Sequence, residues 1–293
     1  MRHDALSQTA ALANVINSAE SNLKRRTIGD IAEAQESGDH FQCNILSYIH
    51  GLDAIKKDAE PSIRETAFYI TEFLQTVDRE RTLDPAQMAL LRCHLWVGLA
   101  SAIEPLGGRP SKKAGSLLTD EKDNLVRWDV NHLCPGVKPS AGLYVKREGN
   151  HRGHHLFCAE RNVIVRFLGL SADVPATDDI ATIHAKIDGF TKKLIGAAAA
   201  STELRQHSLV SSHCPCAVCA KVIAPKKKDG TPGRAVKRIY TQWNHGFEAA
   251  LSMPDRKTTA SLEILKRAGI RVLMHRPRQP FPSKAHGAII RRV

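Results

Sequence analysis

The sequence predicts an α/β chain, a mixed β-sheet sandwiched by helices and preceded by a helical N-terminal region. Three observations predict it. Residues 1–80 carry apolar side chains at helical spacing. From residue 84 onward helix-like and strand-like segments alternate. One strand pair is joined by a tight turn and should be antiparallel, whereas the later strands are joined through helices and should be parallel. The expected order is helix, two strands, helix, strand, helix, strand, helix, strand, giving five strands after the first helix.

In the N-terminal region Leu12, Val15, Ile16, Ala19 and Leu23 keep helical spacing, as do Phe41, Ile45, Ile49, Leu52 and Ile55. Ser62 with Glu65 reads as a capping box that opens a third helix through Val77. Asp84-Pro85 is an N-cap followed by a first-turn proline, and the helix it starts should run to about Ile103. Met88, Leu91, Leu95, Trp96, Val97 and Leu99 make that helix apolar nearly all round, so it should be buried. After Gly107-Gly108, Ala114–Thr119 and Leu125–Asn131 read as a hairpin around a turn at Asp120–Asn124. A loop through Cys134-Pro135-Gly136 leads to a helix that begins near Cys158 and ends at Gly169. A helix from about Asp178 to Ala199, capped by Thr177, comes next. Leu209–Ser211 is a short strand, Pro215 opens a helix, and Ala235–Tyr240 is a strand. Ser261–Ala268 is a helix stopped by Gly269, and Ile270–Met274 is the last strand. The organisation is a helical domain over 1–80, an α/β domain over 84–277 and a basic tail over 278–293.

At 293 residues and 42% hydrophobic content the chain can bury a substantial core. Seven cysteines without a disulfide-like framework point to a reducing compartment, and we expect a cytoplasmic protein. The start, Met1-Arg2-His3-Asp4, lacks a signal-peptide core, and no apolar run reads as a membrane span. The net charge of +12 points to a polyanionic partner. Lys226, Lys227 and Lys228 form one basic cluster, and Arg276, Arg278, Lys284, Arg291 and Arg292 form another in a C-terminal stretch without an acid.

The densest chemistry lies in Cys158-Ala159-Glu160 and, much later, Pro215-Cys216-Ala217-Val218-Cys219. Three thiolates can hold a zinc ion and leave a fourth position open, which is a catalytic arrangement; four thiolates would make a closed structural one. The spacing of Cys216 and Cys219 puts two sulfurs on one helical turn, and helix N-termini favour thiolates. A glutamate beside the ligands can move protons while the metal acidifies water. A rival four-thiolate site would recruit Cys214, but Cys214-Pro215-Cys216 is poor spacing for two sulfurs on one ion, and it leaves Glu160 without a role. Cys43 and Cys93 read as core thiols.

These residues resemble the zinc-dependent cytidine and deoxycytidylate deaminase superfamily, over roughly two-thirds of the chain from about residue 84 to 275. The resemblance implies a three-layer α-β-α deaminase fold with a five-stranded mixed sheet and zinc between the starts of two helices. It implies Zn2+ held by Cys158, Cys216 and Cys219, with Glu160 as the catalytic proton carrier in the conversion of cytosine to uracil. It implies that Asn131 holds the sugar and that the Ala159 N–H contacts the base carbonyl. The chain departs from the family in the long separation of Glu160 from Pro215 and in the lysine-bearing insertion at 224–234.

The segment from Arg238 to Phe247 resembles the aromatic loop of APOBEC-like polynucleotide deaminases, which implies that Tyr240 and Trp243 contact bases beside the target. Trp243 and Phe247 could stack on bases. With the basic clusters, this favours single-stranded DNA or RNA as substrate, with Lys226–Lys228 as backbone contacts. A free cytidine, deoxycytidine or deoxycytidylate is the alternative. A transfer-RNA adenosine deaminase is the second alternative, opposed by Cys214 standing where such enzymes often carry glutamate. No membrane partner is expected; an oligomer is left open.

Overall fold

The computed structural model describes residues 11–18, 21, 41–81, 83–107, 113–138, 156–175, 179–227, 229–242 and 256–275, with only the backbone of 41–55, 180 and 256–259. The fold is α/β with a five-stranded mixed sheet in the order β2-β1-β5-β6-β7. Strands β1 (Gly115–Thr119) and β2 (Leu125–Val130) form the antiparallel hairpin, and β5 (Ser208–Ser211) pairs antiparallel with β1. Strands β6 (Arg238–Gln242) and β7 (Arg271–His275) then extend the sheet in parallel, as connections through a helix require. A separate two-stranded ribbon joins β3 (His132–Leu133) to β4 (Leu156–Phe157).

Alternation along the strands divides the core in two. Leu117, Trp128, Val130, Val210, Tyr240 and Leu273 face helices α1 (Phe41–Glu80) and α2 (Pro85–Ala102). Leu118, Leu209, Ile239 and Val272 face the other way, toward α3 (Ala159–Phe167), α4 (Ile180–Ala200), α5 (Ala217–Ile223) and α6 (Arg256–Arg267). Helices therefore cover both faces of the sheet, an arrangement compatible with a three-layer α/β fold.

Helix α2 is the buried helix its composition predicts. Asp84 accepts the N–H groups of Ala86 and Gln87, and Gln87 reaches back to the Asp84 N–H at 3.0 Å, so the capping box forms here. By length and mean hydropathy of 1.2 the stretch Pro85–Leu106 could cross a membrane, but 61% of the window is buried inside the fold, against the sheet and α1. Its close seat on the sheet depends on Gly115, where a Cβ would lie 2.1 Å from the Ala100 carbonyl oxygen and 2.4 Å from Ile103 Cγ1. Gly115→Ala is expected to destabilise the protein by about 1–3 kcal/mol through overpacking, read as a lower urea midpoint with unchanged slope.

Two expectations are corrected. Ser62 and Glu65 do not cap a third helix: α1 runs unbroken from Phe41 to Glu80 with Pro61 inside it. The proline removes one helical donor, but Ala59, Ile63, Ala67, Ile70, Leu74 and Val77 form one buried stripe that holds both halves in register. Strand β6 begins at Arg238 rather than Ala235, because the Ala235 and Lys237 N–H groups bond outside the sheet, to Ile223 and His207 carbonyls. At α3, Gly169 adopts φ +62° and the Leu170 N–H returns to the Val165 carbonyl, closing the helix where expected. Thr177 lies outside the described residues, and Asp179 caps α4.

Candidate metal centre

Two helix starts meet beneath the end of the sheet. Cys158 is the N-cap of α3 and Cys216 the N-cap of α5, both extended and neither using its sulfur to cap. Cys219 follows one turn into α5. The α3 start is fixed by Asn162, whose side-chain amide donates to the carbonyls of Val130 (2.9 Å), His132 (3.4 Å) and Phe157 (3.5 Å). The α5 start is fixed by Ser261, which donates to the Pro215 carbonyl at 2.5 Å.

The three sulfurs lie within 4.8 Å of one another, with Cys158 to Cys216 at 3.9 Å and Cys216 to Cys219 at 3.5 Å. Tetrahedral zinc with sulfurs at about 2.3 Å requires sulfur separations of about 3.8 Å, so this donor set fits such an ion. Cys216 is exposed, Cys158 half-buried and Cys219 buried, which leaves one side of the cluster open. Cys214 is not in the convergent group, and its thiol is pushed up to about 12 by burial first, then by the charges of Glu160 and Cys216. Within the cluster, the sulfur–sulfur contacts to Cys158 and Cys219 hold the Cys216 pKa down, while those of Cys158 and Cys219 are held up.

Glu160 enters this cluster from the first turn of α3 and is almost wholly buried. Ser211 at the end of β5 donates to its Oε1 at 3.1 Å, and the Cys219 sulfur lies 3.7 Å from Oε2. Burial, then the negative Cys216 sulfur, raise its pKa to about 7, against the pull of Ser211 and Arg161. Ala159, between ligand and acid, is fully buried.

Arg161 has no role in the sequence reading, yet it is the cation of the site. It is buried, with its guanidinium 3.9 Å from the Phe157 ring centroid. Burial alone would lower its pKa, but the sulfurs of Cys219, Cys158 and Cys216 draw it up. When the three sulfurs are thiolates around an ion, this one positive charge would offset part of their mutual repulsion. Arg161→Gln is therefore expected to weaken metal retention on the order of tenfold or more, measured by competition with a chromogenic chelator. Ser211 is the second residue missed; a serine at a strand end carries no sequence signal.

The remaining expected contacts divide. Asn131 follows β2 at the same end of the sheet as Ser211, and its side-chain oxygen accepts the Ala114 N–H at 2.8 Å. Tyr240 is not brought to the site: it faces the α1–α2 layer, buried, and its hydroxyl accepts from Arg238 at 3.3 Å. Strand alternation decides this, since Ile239 takes the face toward α3 and α5. Lys226 and Lys227 are exposed, in a turn bridged by Lys226 and Pro232, and follow the C-terminal end of α5. Seven residues of helix, about 10 Å, separate them from Cys216 at its start. Trp243, Phe247, Lys228 and the 276–293 tail lie outside the described residues. Cys93 is a core thiol, bonded to the Leu273 carbonyl; the Cys43 side chain lies outside the described residues. No protein-family model matches the chain, and no curated protein matches it.

Proposed function

We propose that the chain is a zinc-dependent hydrolytic deaminase with the three-layer fold of the cytidine and deoxycytidylate deaminase superfamily, converting cytosine to uracil. The observation that carries this reading is Glu160: a buried carboxylate 3.7 Å from the Cys219 sulfur, beside three convergent thiols with one side open. Nothing in a purely structural metal site calls for a buried acid at that place.

Cys158, Cys216 and Cys219 would hold the ion, which when bound supplies the Lewis acidity that lets water lose a proton near neutral pH. Glu160 would take that proton and deliver it to the ring nitrogen, then carry the proton of the hydroxyl added at the amidine carbon to the departing amine, so that cytosine and water give uracil and ammonia. Ser211 holds one carboxylate oxygen and leaves the other directed at the cluster. Arg161 carries the compensating charge, and in this reading Asn131 and Ala159 supply the sugar and base contacts.

Single-stranded nucleic acid is the substrate that the net charge of +12 supports. A free pyrimidine nucleoside or nucleotide is the second reading, favoured by Lys226 and Lys227 lying at the far end of α5 and by the burial of Tyr240. The test is uracil formation by zinc-loaded protein on cytosine-containing single-stranded DNA and RNA, cytidine, deoxycytidine and deoxycytidylate, with inosine formation on transfer RNA as a further arm. We expect uracil from the polymers. Turnover of the monomers alone would select the second reading, inosine alone the adenosine one, and no product from any arm would remove the deaminase reading.

A further inference from the structure

Away from the cysteines, a cleft of about 640 Å³ opens between helix α1 and the edge strand β2. Its lining is unusually cationic, with five lysine or arginine side chains against two carboxylates, a formal excess of three positive charges. Both carboxylates are already engaged. Asp129, buried at the floor, accepts Lys56 at 2.9 Å and His132 at 2.9 Å and pairs with Arg166 at 2.5 Å. Glu60 pairs with Arg64 at 2.6 Å and accepts the Trp128 indole N–H. Lys57 and Arg127 are exposed on opposite walls, and among the described residues neither has a carboxylate partner.

We propose that this cleft is a binding site for phosphate groups, separate from the cysteine cluster. Like charges gathered in one concavity repel each other and focus a positive potential there, which a multiply charged oxyanion relieves. Guanidinium groups on three of its sides present the forked donors that suit phosphate oxygens. The Asp129 pairs lock α1, β2 and α3 together around the cleft, so it is formed before any ligand arrives. Arg166 stands six residues after Glu160 on α3, about 9 Å along the helix. Phosphates bound here would therefore lie within a nucleotide or two of the cysteine cluster; that positional link to substrate rests on the deaminase reading, but the binding does not.

The phosphates could belong to a single-stranded polynucleotide or to a free polyphosphate, and the experiment separates the two. The intact chain is titrated against fluorescein-labelled oligothymidylate by anisotropy across a salt series, and against pyrophosphate by calorimetry. Oligothymidylate contains no cytosine, so the readout does not depend on deamination. The double variant Lys57→Gln/Arg127→Gln is compared with Lys192→Gln/Lys193→Gln, which removes the same charge from two exposed positions of α4. We expect the first to weaken oligothymidylate binding on the order of tenfold and to reduce the salt slope by about 1.4, at about 0.7 per lost phosphate contact, while the second stays close to the unsubstituted protein. Loss of pyrophosphate binding alone in the first variant supports a free polyphosphate as the source. Equal weakening by both variants, equal competition by polyglutamate, or no response of either probe to Lys57→Gln/Arg127→Gln overturns the proposal. A chain inactive as a deaminase that still shows the first pattern leaves it standing.

Discussion

Replacing Glu160 with glutamine is expected to lower uracil formation by about 10²–10⁴-fold, the span that a positioned acid–base group contributes, while the metal content stays that of the unsubstituted protein. The amide keeps the size of the carboxylate and can still accept the Ser211 hydroxyl at Oε1, so under the proposed function the substitution removes proton transfer and little else. Glu160 is not one of the three converging sulfur ligands, so elemental analysis should find the same metal per chain. Loss of both activity and metal would show that the carboxylate is a ligand and that the assignment of roles is wrong. Activity retained with the metal in place would show that protons move by another route.

The second large effect is on stability. Asp129→Ala is expected to destabilise the fold by about 3–5 kcal/mol, the cost of leaving a buried partner charge uncompensated, measured by urea unfolding at neutral pH. Lys56 would keep a buried ammonium without its carboxylate, and the Val130 N–H would lose its 2.8 Å acceptor. Burial alone would raise the Asp129 pKa, but His132, Lys56 and Arg166 together hold it well below the usual carboxylate range. A depressed folded-state pKa adds stability above the unfolded value near 4 and loses it as pH falls below that value. The unsubstituted protein should therefore lose stability as pH drops below about 4, and the Asp129→Ala protein should show a shallower fall across the same range. Parallel curves for the two proteins would remove Asp129 as the source.

Chemistry was more legible in the sequence than contacts were. Cys158, Glu160, Cys216 and Cys219 could be read because their types are rare and their spacing fixes them on helix starts, where the structure brings them together. The hairpin at 115–130 was legible from turn residues and alternation, and α2 from its cap and its apolar girth. The unbroken course of α1 was not, since Pro61 and Ser62 send a local stop signal that only tertiary burial overrides. Tyr240 was misread because a strand's two faces cannot be told apart when both are apolar; Ile239 and Tyr240 are equally buried, one on each side. Arg161, Ser211 and Asp129 owe their importance to partners distant in sequence, such as the Lys56 ammonium 73 positions from Asp129.

The meeting of two helix starts has one more consequence. Cys158 and Cys216 are 58 residues apart in the chain, and an ion shared between them closes that length into a loop. By the chain-entropy relation for covalent cross-links, a tether of this span is worth about 4 kcal/mol at 25 °C. A metal-loaded centre would thus act as a staple, one made without oxidation and opened by acid or by a competing chelator. Helix α4, which lengthens the intervening segment, therefore raises the entropic value of the staple only slightly, because that value grows with the logarithm of the loop.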